Sequence, residues 1–168
     1  LDSLEDVDRL EVGERVHEKG DTTTKHVFAR TLGEPPIYYH RKYVDSTHWT
    51  PWEKVDLDIE TEHLVPVMYQ DRLYLFWLTF RERPKKEQKT APAEASGSSS
   101  RPAGSRQYLE IKLAWSVFRN GKWTPKRISS SRLIHPWPRP RSTYHLKPRW
   151  NQASSRLYLD IFVSTSKT

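Results

Sequence analysis

The chain has 168 residues, 35% of them hydrophobic and 29% charged, with a mean hydropathy of -0.84 and a formal net charge of +7. That length suits one domain spanning 1–168, and 12% aromatic residues supply the buried area a core requires. No run approaches the ~20 apolar residues of a membrane-spanning helix, and the absence of cysteine excludes disulfides and thiolate-bound metals.

The acidic opening, Leu1 to Glu5, lacks the basic and apolar regions of a secretory signal and starts in mid-pattern, so a segment of a longer polypeptide is expected. Ser3 to Leu10 offers one helical turn, with Ser3 as N-cap and Asp6 three residues on. Beyond it the hydrophobic period is two rather than 3.6. Strands are predicted at Glu11 to Val16, His26 to Thr31, Ile37 to Val44 and Trp52 to Ile59. From Leu64 to Phe80 two β-forming runs flank Gln70 and Asp71, which predicts a hairpin. The unbroken apolar character of Leu73 to Phe80 predicts a strand covered on both faces by neighbouring sheets. Residues 84–106, rich in Pro, Ser, Ala and Lys, read as a disordered low-complexity loop inserted within one sheet system. Strands resume at Tyr108 to Phe118, Trp123 to Ile128, Tyr144 to Trp150 and Leu157 to Val163.

Two short motifs recur. Trp49-Thr-Pro returns as Trp123-Thr-Pro, 74 residues on, and Arg72-Leu-Tyr-Leu returns as Arg156-Leu-Tyr-Leu, 84 residues on. Four-stranded units at this spacing predict an all-β fold of antiparallel, propeller-like blades, or a partial sandwich, since two blades close no ring. Trp49, Trp52, Trp77, Trp115 and Trp123 are expected in the core or between sheets.

Charge is divided along the chain. Residues 1–63 hold fifteen acids against eight Lys or Arg, whereas Ile111 to Leu159 hold eleven Lys or Arg and no acid. Asp56, Asp58, Glu60 and Glu62 alternate with neutral residues, which on a strand places all four carboxylates on one face. Side chains ~6.5–7 Å apart along a strand diverge, so no metal is expected there; a solvated edge or a docking face for basic surface fits better. With His63 beside them, these acids and the basic set Lys126, Arg127, Arg132, Arg139, Arg141, Lys147 and Arg149 make up the candidate electrostatic interface. The basic half, interleaved with Trp137, Tyr144 and Trp150, keeps a second reading open: a surface for anionic glycan, lipid or, less well, nucleic acid.

Enzyme chemistry finds little support. A sialidase needs an arginine triad, a Tyr and Glu pair and an acid, and no carboxylate separates Glu110 from Asp160. The Asp-box pattern is absent, its nearest matches being Asp45 to Trp49 and Asn120 to Trp123. No phosphate loop, HExxH or GxSxG occurs, so no catalytic residue and no cofactor is expected. The seven histidines show no zinc spacing.

The string Ile37 to Glu60, then His63-Leu-Val-Pro-Val with Arg72-Leu-Tyr-Leu-Phe-Trp, then Ile111-Lys-Leu-Ala-Trp-Ser with Asn120-Gly-Lys-Trp-Thr-Pro-Lys, resembles the neuraminidase-like region of insecticidal Tc toxin A subunits. The resemblance implies part of a large, extracellular, homopentameric, pore-forming toxin whose shell surrounds a translocation channel. Its neuraminidase-like domain would be β-rich and non-catalytic, would close the membrane-facing end of the shell against neighbouring domains and protomers, and would take part in a pH-triggered electrostatic lock.

Overall fold

The computed structural model describes residues 11–18, 23–84, 107–136 and 139–164. Their strands, in chain order, are β1 (Glu11–Glu18), β2 (Thr24–Arg30), β3 (Tyr38–Val44), β4 (His48–Trp49), β5 (Glu53–Lys54), β6 (Leu64–Tyr69), β7 (Arg72–Pro84), β8 (Gln107–Arg119), β9 (Lys122–Trp123), β10 (Arg127–Ile128), β11 (Leu133–His135), β12 (Tyr144–Asn151) and β13 (Arg156–Val163). All pairings are antiparallel. The first sheet runs β1-β2-β3-β4 with β5 also on β3, and the second runs β6-β7-β8 with β9, β10 and β11 along the outer side of β8. The third is the β12-β13 pair.

Local chemistry sets the hairpins. Gln70 and Asp71 have φ of 49° and 55°, and Asn120 and Gly121 have 51° and 76°. Two successive positive φ values make the tight turn whose twist matches the flanking strands, and Asn, Asp and Gly tolerate it best. Asp45 and Ser46 bend the β3-β4 connection in the same way, at 49° and 55°.

Alternation along β7 then builds two cores. Leu73, Leu75 and Trp77 join Phe28 and Tyr38 of the first sheet, whereas Phe76 and Leu78 join Tyr144 and Leu146 of the third. A strand with apolar side chains on both faces is stable only as the middle layer, and that is the place of β7. Trp77 is 1% exposed. The all-β, antiparallel expectation holds, and the described residues close no ring.

Register shows that the sequence motifs are structural repeats. Tyr43 pairs with Trp49 and Phe118 with Trp123, so both Trp-Thr-Pro motifs follow the third long strand of their sheet. In each, threonine replaces one rung of the ladder. Thr50 N–H donates to the Lys42 carbonyl while its Oγ1 accepts from Lys42 N–H, both at 2.9 Å. Thr124 does the same with Val117, at 2.9 and 3.0 Å, and Ser129 with Leu113, at 2.8 and 3.2 Å. A third motif escaped the sequence reading. His63-Leu-Val-Pro at the start of β6 matches His145-Leu-Lys-Pro at the start of β12, and the following turns lead into the two Arg-Leu-Tyr-Leu strands. The third sheet therefore repeats the first two strands of the second.

Several expectations are corrected. Trp52 to Ile59 is a strand only at Glu53–Lys54, and the acidic run pairs with no strand among the described residues, Leu57 N–H turning back to the Val55 carbonyl at 2.9 Å. Trp123 to Ile128 is split into β9 and β10 around Thr124, Pro125 and Lys126. Trp49 is 44% exposed rather than in the core, and Trp52 is half-buried. The reason is Arg41, whose guanidinium carbon lies 4.1 Å from one indole centroid and 4.4 Å from the other; stacking on a cation satisfies the rings at the surface. Trp115 and Trp123 are partly buried against the second and first core respectively. Arg83 and Pro84, placed at the edge of the insertion, still pair with Tyr108 and Gln107. The helical turn at Ser3 to Leu10, the disorder assigned to 85–106, and Trp137 lie outside the described residues.

Candidate electrostatic interface

Residues 55–63 cross from β5 at the outer side of the first sheet to β6 of the second. Val55 and Ile59 are buried and Leu57 packs beside them, which turns Asp56, Asp58, Glu60 and Glu62 outward. All four acids are therefore exposed, and they sit on a strap rather than on an edge strand. Hydrogen bonds hold it in place: Val55 N–H to the Tyr38 carbonyl at 2.8 Å and Tyr38 O–H to the Thr61 carbonyl at 2.7 Å. At its end His63 Nε2 lies 2.9 Å from the Leu146 carbonyl oxygen. The strap therefore touches all three sheets.

Two of the four acids meet cations of this chain. Asp58 pairs with Lys126, whose Nζ also donates to the Asp58 carbonyl at 3.2 Å. Glu62 lies 3.9 Å from Arg30. Asp56 and Glu60 are exposed and have no ion-pair partner among the described residues. The strap walls a cleft of about 850 Å³ opposite Arg141, Tyr144 and His145, and a smaller one of about 280 Å³ that Lys112, Lys126 and Arg141 share with Asp58 and Glu60. Surface pairs of this kind contribute about 0–1 kcal/mol each and weaken with salt.

The other predicted basic residues do not converge on the strap. Arg132 donates to Glu110 at 3.0 Å, and Arg149 to Asp160 at 2.8 Å while lying 4.9 Å from the Tyr158 ring centre. The Arg149 hydrogen bond holds the Asp160 carboxyl below its ordinary range, and the pair raises Arg149 in turn. Arg127, Arg139 and Lys147 are exposed on three separate segments. No group of three His, Asp or Glu suited to a metal occurs among the described residues.

Histidines hold positions that the sequence reading left unassigned. The rings of His63 and His145, equivalent in the repeat, meet edge to face at 5.2 Å. Deeper, His26 Nδ1 and His40 Nε2 are 2.9 Å apart, both residues 2% exposed, so one ring donates and the other accepts. His40 also stacks on Phe28 and abuts Phe118 and Trp123. Burial, then His26, then Lys42, push its pKa down to about 3. The signal available was the alternation that sets His26 beside Phe28 and His40 beside Tyr38 on one face, legible only once β2 and β3 are in register.

Residues 10–164 match the family model of the neuraminidase-like domain. Among solved structures, TcdA4 of Morganella morganii superposes with a TM-score of 0.62 at 16% identity, over 98% of this chain and 7% of that chain. TcaA-TcaB of Yersinia pseudotuberculosis gives 0.51 at 17% identity, over 96% and 9%. No curated protein matches. At such identities the likeness to these structures is one of fold, and this chain spans under a tenth of theirs. The match over residues 10–164 is decisive: the chain belongs to the neuraminidase-like domain family.

Proposed function

We propose that the chain is a structural, non-catalytic part of the shell of a Tc toxin A subunit, borne outside the cell in a homopentameric assembly. One observation carries this reading: β7 has a packed core on each face, so its apolar side chains join the layers of the fold, as a scaffold strand does. Similarity to TcdA4 and TcaA-TcaB supports it. The test is hydrolysis of a fluorogenic sialoside by the purified chain. No turnover above a heat-killed control is expected; turnover abolished by a point substitution overturns the proposal.

A second reading, gating, is favoured by the strap. Asp56 and Glu60 are exposed without an ion-pair partner among the described residues, and Asp58 and Glu62 sit beside Lys126 and Arg30 across short, solvent-reached gaps. Acid neutralises carboxylates, so charge-dependent contacts made by this face loosen as pH falls. Replacing Asp56, Asp58, Glu60 and Glu62 by Lys in the full toxin should shift shell opening along both pH and salt axes. An unchanged opening profile reduces the strap to a solvated surface.

A further inference from the structure

The internal repeat assigns an occupant to the outer edge of the third sheet. In the first two sheets the second strand has neighbours on both sides, β2 between β1 and β3, β7 between β6 and β8. Its counterpart β13 pairs only with β12 among the described residues. Leu157 and Leu159 of β13 pack toward the second sheet, as Leu73 and Leu75 of β7 pack toward the first. This edge of β13, unpaired among the described residues, has the same setting as the edge of β7 to which β8 bonds.

The face beside that edge repeats as well. On the first sheet, His40 is covered by Phe118 and Trp123, with ring centres at 5.6 and 5.9 Å, and Lys42 lies 4.9 Å from Phe118. These two aromatic rings come from the third strand and the strand after the tight turn of the next sheet. Register makes Trp115 the counterpart of His40, since Phe118 pairs with Trp123 as Tyr43 pairs with Trp49. Trp115 is only partly buried, and Leu133, on the same face through its pairing with Ile111, is 45% exposed.

We infer that the edge of β13 and the adjoining face of the second sheet, at Trp115 and Leu133, form a docking groove for an antiparallel β-hairpin of the repeat's own kind. Its first strand bonds β13 and ends in an aromatic residue, a tight turn follows, and its second strand opens with Trp-Thr. Main-chain bonds to the edge give affinity and the aromatic pair gives selectivity, as in other strand-addition complexes. Docking rests on the repeat and not on the toxin assignment, so it stands or falls separately.

The test appends a second copy of residues 107–128 behind Thr168 through a flexible Gly/Ser linker, and measures hydrogen exchange of the alternate β13 amides that do not bond β12. At least tenfold slower exchange than in the unfused chain is expected, with that protection lost when the appended Phe118 and Trp123 equivalents are changed to Ser. A synthetic peptide of residues 107–128, added in trans, gives the same readout should the fusion fold poorly. Neither fusion nor peptide slowing those amides, while β7 amides stay protected, overturns the inference. So does equal protection by the Ser variant, or concentration-dependent protection of the unfused chain as a dimer, which makes a second copy the occupant.

Discussion

Acidification from pH 6.5 to 5 is expected to destabilise this chain through His40 before most carboxylates begin to titrate. Folded, His40 stays neutral down to about pH 3 because it is buried against Phe28, Phe118 and Trp123 and faces His26 and Lys42. Unfolded, it takes a proton below ~6.5. The unfolded state then binds more protons, so stability rises with pH across the interval between the two values and falls as acid is added. At 1.36 kcal/mol per unit, the 1.5 units between pH 6.5 and 5 cost about 2 kcal/mol, a large part of the stability of a domain this size. Urea unfolding at a series of pH values measures this directly, with His40→Phe as the comparison. The variant keeps an aromatic ring in the aromatic pocket and removes the hydrogen bond between His26 and His40, which costs about 0.5–1.5 kcal/mol at pH 7. Its stability should nevertheless decline less steeply between pH 6.5 and 5, so the two curves converge. Parallel curves would refute the reasoning, because the proton uptake would then belong to other groups.

Other expectations follow from the same geometry. Trp77→Ala removes the largest fully buried side chain and should cost about 3–5 kcal/mol, read as loss of cooperative thermal unfolding. Thr124→Val deletes the oxygen that accepts the Val117 N–H and should cost about 1–3 kcal/mol in chemical denaturation, with Thr124→Ser retaining most of the stability. Asp160 should titrate below an ordinary aspartate by carboxyl NMR, and Arg149→Gln should return it to the usual range. Because the folded pKa is the lower one, the pair's contribution is present above the unfolded value and disappears as pH falls through the folded value.

Sequence sufficed where one strand's own chemistry decides the outcome. The polar Gln70-Asp71 pair between two β-forming runs gives its hairpin, and the apolar run Leu73 to Phe80 gives a strand cored on both sides. It misled where alternation exists without a ladder: Asp56 to Glu62 exposes its acids as a strand would, yet Val55, Leu57 and Ile59 and a few hydrogen bonds, rather than a neighbouring strand, hold it down. Trp49 was assigned to the core by residue type, whereas Arg41, two residues from its pairing partner Tyr43, draws it to the surface. Of the candidate interface, the exposure of the four acids was legible. Which cations oppose it was not, since Arg30 and Lys126 reach it from different sheets, 32 and 68 positions away from the acids they pair with. The His26 and His40 contact depends on cross-strand register in the same way.

Pro84 and Gln107 face each other at the ends of two paired strands. The chain between them leaves and re-enters the same rung, so its length is decoupled from the alignment of every other residue in the sheet. For a loop closed across fixed ends, doubling the length costs only ~0.6 kcal/mol of closure entropy. This makes the connection a port: an epitope, a protease site or a fluorescent reporter can be spliced there while Trp77 still meets Ala114 and both layers keep their cores.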